Sequence, residues 1–249
     1  MTPSTTTKWK IERCTVQDAP ALARNNMSAF WEDPNWTILW REGTTLAFLI
    51  EQGAKRQARN LLRDREHARH LKAVDPDTGR IVGYARWILP SSQSGAAAAA
   101  ADRREGGGET PRWAEGQVPG VSADDLQRFG ELAASAEWNA RTGVDTMDDK
   151  NTVVMERILT ERPYIKLDYL AVHPENKGKG IGTALVAEGI LQARNLGLPI
   201  FTMAYKAGLG IYKRLGFKEV DRVIQDTAPW GGVGEYGAYF MIYDHNTDA

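Results

Sequence analysis

The stretch from Leu170 to Leu185, LAVHPENKGKGIGTAL, decides how this chain is read. A β-type apolar run, Tyr164 to Val172, stops at His173-Pro174. A short polar turn follows, and Lys177-Gly178-Lys179-Gly180-Ile181-Gly182 opens an amphipathic helix. Glycines at alternate positions put no Cβ in the way, so backbone N–H groups can close around an anion. The helix N-terminus adds unpaired donors and partial positive charge at the same spot. Lys177 and Lys179 bring full charges. The turn suits a phosphate or pyrophosphate.

Two familiar phosphate-binding patterns fail on residues. A dinucleotide fingerprint, G-x-G-x-x-G, needs a third glycine where Thr183 stands. A Walker A loop, G-x-x-x-x-G-K-[ST], needs glycine at His173 and Ser or Thr at Gly180. What remains resembles the acetyl-CoA segment of the GNAT N-acetyltransferases, (Gln/Arg)-x-x-Gly-x-(Gly/Ala) after a strand ending in a V-x-P step. The match departs at Lys177, which keeps the charge of the first position but not the planar fork of arginine. A second segment resembles a later motif of the same family: the short apolar strand Ile200 to Ala204, a short helix carrying Tyr212, then Leu215-Gly216-Phe217. Gly216 stands where a helix C′ glycine belongs. The resemblance is specific over Tyr164 to Val220 and architectural elsewhere.

Composition bounds the rest. The 249 residues, 42% hydrophobic and 25% charged, are those of an ordinary globular chain. A net charge of -1 supplies no basic field for nucleic acid. The single cysteine, Cys14, excludes an internal disulfide framework, and with four scattered histidines it leaves no zinc pattern. No apolar run approaches a membrane span, and the polar start MTPSTTTKWK has no signal-peptide core. The expectation is a cytoplasmic protein, the nucleus being possible, with no metal, nucleic-acid or membrane partner, monomeric or homodimeric.

Along the chain, Trp9 to Arg13 reads as a strand and Ala19 to Phe30 as a helix, broken near Pro34. Glu51 to Arg65 reads as a second helix, whose arginines and lysine are taken as a solvated face. His70 to Val74 and Arg80 to Leu89 form a hairpin around Asp75-Pro76-Asp77-Thr78-Gly79, with a bulge suggested by imperfect alternation. About 91–120 the chain is of low complexity, with an alanine run and Gly106-Gly107-Gly108, and reads as a loop whose residues Ser91 to Gly108 are dispensable. A helical insertion over about 122–160 follows, with Ser122 as N-cap and Leu126, Phe129 and Leu132 at helical spacing. All of this fits one α/β domain over 1–249. The resemblance implies the GNAT fold, a mixed, mostly antiparallel central sheet with helices on both faces; the helical insertion read here falls between strands 3 and 4, which in the family are often joined by a short turn.

The same resemblance implies the chemistry: an acetyl-CoA-dependent acyltransferase moving acetyl to a primary amine, with no metal. Coenzyme contacts fall on Leu170, Ala171, Val172, Lys177, Gly178, Lys179, Gly180, Ile181, Gly182 and Thr183. The first three lie on the strand that offers backbone groups to the pantetheine arm. Tyr212 falls beside the coenzyme sulfur as proton donor to the departing thiolate. Asp168, on the strand entering the loop, is the candidate base or water relay, with Glu137 and Glu32 as further possibilities; Tyr169 is expected on the opposite face. The tryptophan-dense segment from Phe30 to Trp40 resembles segments of filamentous-fungal and antibiotic-type members. Trp31, Glu32 and Trp36 there are expected to wall a cationic small-molecule amine. A protein N-terminal or lysine acetyltransferase and a non-catalytic acyl-CoA-binding module stay open as alternatives.

Overall fold

The computed structural model describes residues 8–91 and 112–245. Its strands are β1 (Lys10–Arg13), β2 (Ala68–Val74), β3 (Ile81–Ile88), β4 (Ile165–Val172), β5 (Ile200–Tyr205), β6 (Lys218–Asp226) and β7 (Glu235–Tyr243). They form one sheet in the order β1-β2-β3-β4-β5-β7-β6. Every neighbouring pair is antiparallel except β4 with β5. The helices are α1 (Ala19–Trp31), α2 (Pro34–Thr37), α3 (Leu46–Leu62), α4 (Ala123–Ala134), α5 (Asp149–Glu161), α6 (Ile181–Leu196) and α7 (Leu209–Arg214). The mixed, mostly antiparallel α/β architecture is the expected one, and α4 and α5 lie between β3 and β4 as the sequence reading placed them.

Alternation along β3 sorts the two faces of the sheet. Gly83, Ala85 and Trp87 turn toward α6, whose Ile181, Leu185 and Ile190 join the main core. Tyr84 turns the other way, into a second cluster with Leu22 of α1, Leu61 of α3 and Cys14. Helix α6 approaches closely because its inner face carries Gly189: a Cβ there would lie 2.1 Å from the Trp87 ring. Gly197, at φ 66°, ends α6 with its N–H donating to Ala193 and Arg194 carbonyls.

Two sequence readings need correction. The helix placed over Glu51 to Arg65 begins earlier, at Leu46, because the Thr45 hydroxyl accepts from the Phe48 amide at 3.2 Å and caps it. Of the loop read over about 91–120, residues 92–111 lie outside the described residues, but the part after them is packed. Trp113 and Val118 are buried, and the Trp113 ring lies 5.9 Å from Trp87. Arg69, fully buried, donates from Nε to the Trp113 carbonyl at 2.8 Å and from Nη2 to the Arg112 carbonyl at 2.6 Å. In α4 the Ser122 cap is present, its hydroxyl accepting from the Asp125 amide at 3.1 Å. The apolar spacing there, though, leads to no burial: Leu126 is 53% and Leu132 43% exposed.

Candidate active site

The site begins where β4 and β5 part. They pair only from Ile165 opposite Ile200 to Leu167 opposite Thr202, so β4 continues from Asp168 to Val172 with its β5-side edge unpaired. The other edge stays bonded to β3 as far as Gly83 opposite Val172. A strand edge in the middle of a sheet is a ready partner for an extended ligand. Leu170, Ala171 and Val172 lie on it.

The chain leaves β4 through His173 and Pro174, and two clamps fix the exit. The buried Asn25 amide donates to the Ala171 carbonyl at 3.3 Å and accepts from the His173 N–H at 3.1 Å. Trp9 Nε1 donates to the Lys179 carbonyl at 2.9 Å, holding the loop from the β1 side. Gly178 and Gly180 both take left-handed backbone, φ 76° and 81°, with open space where a Cβ would stand. Gly180 caps α6 with no side chain, so the first-turn donors of Ile181, Gly182 and Thr183 face the loop's concavity without a capping oxygen. Gly182 has a different reason: a Cβ there would come within 2.9 Å of Ile211 on α7. Both lysines have partners. Lys179 Nζ donates to Asn176 Oδ1 at 2.8 Å, and Lys177 pairs with Glu32, tying the loop to the end of α1.

Tyr212 of α7 sits on the β5 side of the opening, buried, its ring 5.4 Å from Phe217. Burial pushes its hydroxyl up to about 12, against a smaller downward pull from the Thr202 hydroxyl. It is fully protonated at neutral pH.

Asp168 is not the free carboxylate expected of a base. Strand β4 bulges at it: Arg86 stands opposite Tyr169 and Trp87 opposite Leu167, leaving Asp168 as the extra residue. The bulge also breaks the expected alternation, so that Asp168 and Tyr169 both meet Arg86. Asp168 lies 2.5 Å from Arg86 and 2.8 Å from Lys166, and the Arg86 guanidinium lies 5.6 Å from the centre of the Tyr169 ring. Burial raises the Asp168 carboxyl, but the two cations outweigh it and hold it below its ordinary value. A carboxylate so stabilised as an anion is a poor proton acceptor.

The tryptophans of the segment expected to wall the acceptor pack in a row. Trp31 packs edge-on to Trp36, which continues to Trp40 at 5.0 Å and on to Trp138 at 5.1 Å. Glu32 is taken up by Lys177. None of Trp31, Glu32 and Trp36 lines the cavity of about 200 Å³ on the α1–α3 face of the sheet. That cavity is walled by Asn26 and Met27 of α1, by Gly53, Arg56, Gln57 and Asn60 of α3, by Tyr84, Arg86 and Tyr169 of the sheet, and by Trp138. The sequence reading missed these residues. Asn25 and Asn26, buried amides inside an apolar helix, were the signal available for them. Among the described residues, no group of three or more His, Cys, Asp or Glu is placed to hold a metal, and no helix is long and apolar enough to cross a membrane.

Comparison with known proteins adds the following. The family model for the acetyltransferase (GNAT) domain matches residues 143–219, which span α5, β4, the glycine loop, α6, β5 and α7. No curated protein matches the sequence. Among solved structures, a Corynebacterium glutamicum protein described as histone acetyltransferase HPA2 and related acetyltransferase is similar at TM-score 0.54 and 16% identity, covering 96% of this chain and 97% of its own. Arylalkylamine N-acetyltransferase 2 from Aedes aegypti is similar at TM-score 0.53 and 13% identity, covering 96% of this chain and 99% of its own. An N-acetyltransferase from Thermoplasma acidophilum, solved with coenzyme A, is similar at TM-score 0.50 and 13% identity, covering 95% and 99%. At such identities the likeness is one of fold. Residues 143–219 thus match an acetyltransferase (GNAT) domain, and the chain has the fold of solved acetyltransferases.

Proposed function

We propose that the protein is an acetyl-CoA-dependent N-acetyltransferase whose acceptor is the primary amine of a small molecule. The observation that carries this reading is the coincidence of three features at the β4–β5 opening. They are a strand edge free to pair, an uncapped helix start behind two left-handed glycines, and a protonated tyrosine across the gap. The matched domain model covers all three.

In this reading the pyrophosphate rests on the amides of residues 178–183, with Lys179 beside it, while the pairing of Lys177 with Glu32 ties the loop to the end of α1. The pantetheine arm lies along Leu170, Ala171 and Val172. An amide N–H on that edge polarises the thioester carbonyl. At neutral pH about one amine in a thousand is unprotonated when its pKa is near 10.4. The free amine nitrogen attacks the thioester carbon, the C–N bond forms and the C–S bond breaks. The tetrahedral nitrogen gives up its proton to solvent, and the thiolate takes one from Tyr212, which is then reprotonated. Amide and free thiol are the products. Asp168 holds Arg86 at the cavity wall rather than accepting the amine proton. The resemblance to antibiotic-type and filamentous-fungal members belongs to this proposal as a pointer to a small acceptor.

The first test is binding. Gly180→Asp places a carboxylate and a strained backbone at the pyrophosphate cradle. Calorimetry should register acetyl-CoA binding to the native chain and none to the variant, with thermal unfolding confirming that the variant is folded. Equal affinity in a folded variant overturns the assignment of the loop.

A further inference from the structure

The cavity on the α1–α3 face carries the opposite charge from the one expected for a polycationic acceptor. Residues Gly53, Arg56, Gln57 and Asn60 recur at helical spacing, so α3 presents one polar stripe inward. Two guanidiniums line the cavity and no carboxylate does. Arg86 is neutralised by Asp168 at 2.5 Å. Arg56 has no such partner: among the described residues no carboxylate lies within salt-bridge distance of it, and Glu51 on the same helix is taken by Lys55 at 3.4 Å. The Arg56 guanidinium is instead laid over the Trp138 ring, 4.6 Å from its centre. This contact holds the guanidinium against the ring and leaves its N–H donors for a ligand. Gln57 and Asn60 add neutral donors on the same wall. Met27, Tyr84, Tyr169 and Trp138 supply apolar and aromatic surface.

We infer that the acceptor is an amino-acid-like molecule, bearing a carboxylate that Arg56 binds and a compact apolar or aromatic body that fills the cavity. This rests on the N-acetyltransferase reading and names its substrate class. A fork of guanidinium donors meeting a carboxylate is directional and charge-assisted, and it stays strong inside a partly desolvated cavity. A polyamine would instead bring further positive charge beside Arg56 and Arg86, with no carboxylate on the wall to receive it. Size agrees: about 200 Å³ lies below the range usual for drug-sized ligands and holds a compact molecule.

Matched pairs that differ only in the carboxylate test the inference: phenylalanine against phenethylamine and tryptophan against tryptamine, with spermidine and free-thiol release from acetyl-CoA as the readout. The carboxylate-bearing member should have the higher kcat/KM by about 10- to 100-fold, the usual worth of a hydrogen-bonded charge. In Arg56→Met that ratio should collapse toward one, chiefly through KM, and Arg56→Lys should recover part of it. Acetyl-CoA affinity by calorimetry should be unchanged in both variants. Preference for the decarboxylated amines or for spermidine overturns the inference and leaves the enzyme reading standing. So does acetyl-CoA binding without turnover of either pair. A native chain that binds no acetyl-CoA overturns the enzyme reading itself, and the inference with it.

Discussion

Single residues here owe their properties to neighbours that are distant in sequence. Asp168 and Tyr212 illustrate the point from opposite sides. Asp168 reads as a candidate base on the strand entering the loop, yet a bulge places it between Arg86 and Lys166, which hold its carboxyl below its ordinary value. Tyr212 reads as an aromatic on a short helix, yet burial beside Thr202 and Phe217 keeps its hydroxyl protonated well beyond neutral pH. Tyr212→Phe removes one oxygen and keeps the ring, so the packing against Phe217 survives. If the hydroxyl reprotonates the leaving thiolate, kcat should fall by about 100-fold, the usual worth of a positioned acid. The Kd for acetyl-CoA should change far less, because the contact gains strength only as charge develops. Steady-state kinetics beside calorimetry separate the two quantities. Undiminished turnover would reduce Tyr212 to a packing residue.

At the scale of elements, helix placement depends on what stands where a side chain is missing. Helix α6 begins at the glycine loop, and its height over the sheet is set by Gly189 lying on Trp87. Gly189→Ala would drive a methyl into a ring that is fully buried and has no free volume to enter. The expected cost is about 1–3 kcal/mol, as for other overpacked cores, with weaker acetyl-CoA binding as the helix lifts. Gly130→Ala on α4 is the control, since nothing stands within 4 Å of that position. Helix propensity alone should make it stabilising, by up to about 1 kcal/mol. Urea unfolding of the two variants checks both signs, and equal shifts would contradict this account of α6. Helix α3 makes the complementary point. Its arginines look like a solvated face in sequence, but Arg56 is turned inward beside Trp138, a residue 82 positions away.

For the whole molecule, the parting of β4 and β5 opens the candidate site in the middle of the sheet, and buried polar groups lie between the sheet and its helices. His70 is one of them. It lies between sheet and helices with Nδ1 bonded to the Tyr84 hydroxyl at 2.7 Å, and Tyr84 in turn lines the cavity. Burial, with Arg86 and Arg69 nearby, lowers its pKa to about 3. The folded state therefore disfavours the imidazolium. Between pH 6.5 and 3 the unfolded chain binds the extra proton, so stability rises with pH there and is complete above 6.5. Acidification through that window should remove up to about 5 kcal/mol through this one group. The Asp168 ion pairs add their loss only lower, below the ordinary carboxylate range near 3.9. Urea unfolding at a series of pH values should yield a slope near one proton between pH 6 and 4, flattened in His70→Phe. An unchanged slope in that variant would assign the acid sensitivity elsewhere. The parts legible in sequence were those governed by local rules. The order of strands and helices followed from hydrophobic period, the turn into α6 from glycines placed just before a helix, and the start of α4 from Ser122. What only the tertiary structure decided was which side chains share a space. The bulge at Asp168, the capture of Glu32 by Lys177 and the meeting of Arg56 with Trp138 each join residues from separate elements. Charge and contact at such a site depend on distance through space, which hydrophobic period and turn chemistry do not encode.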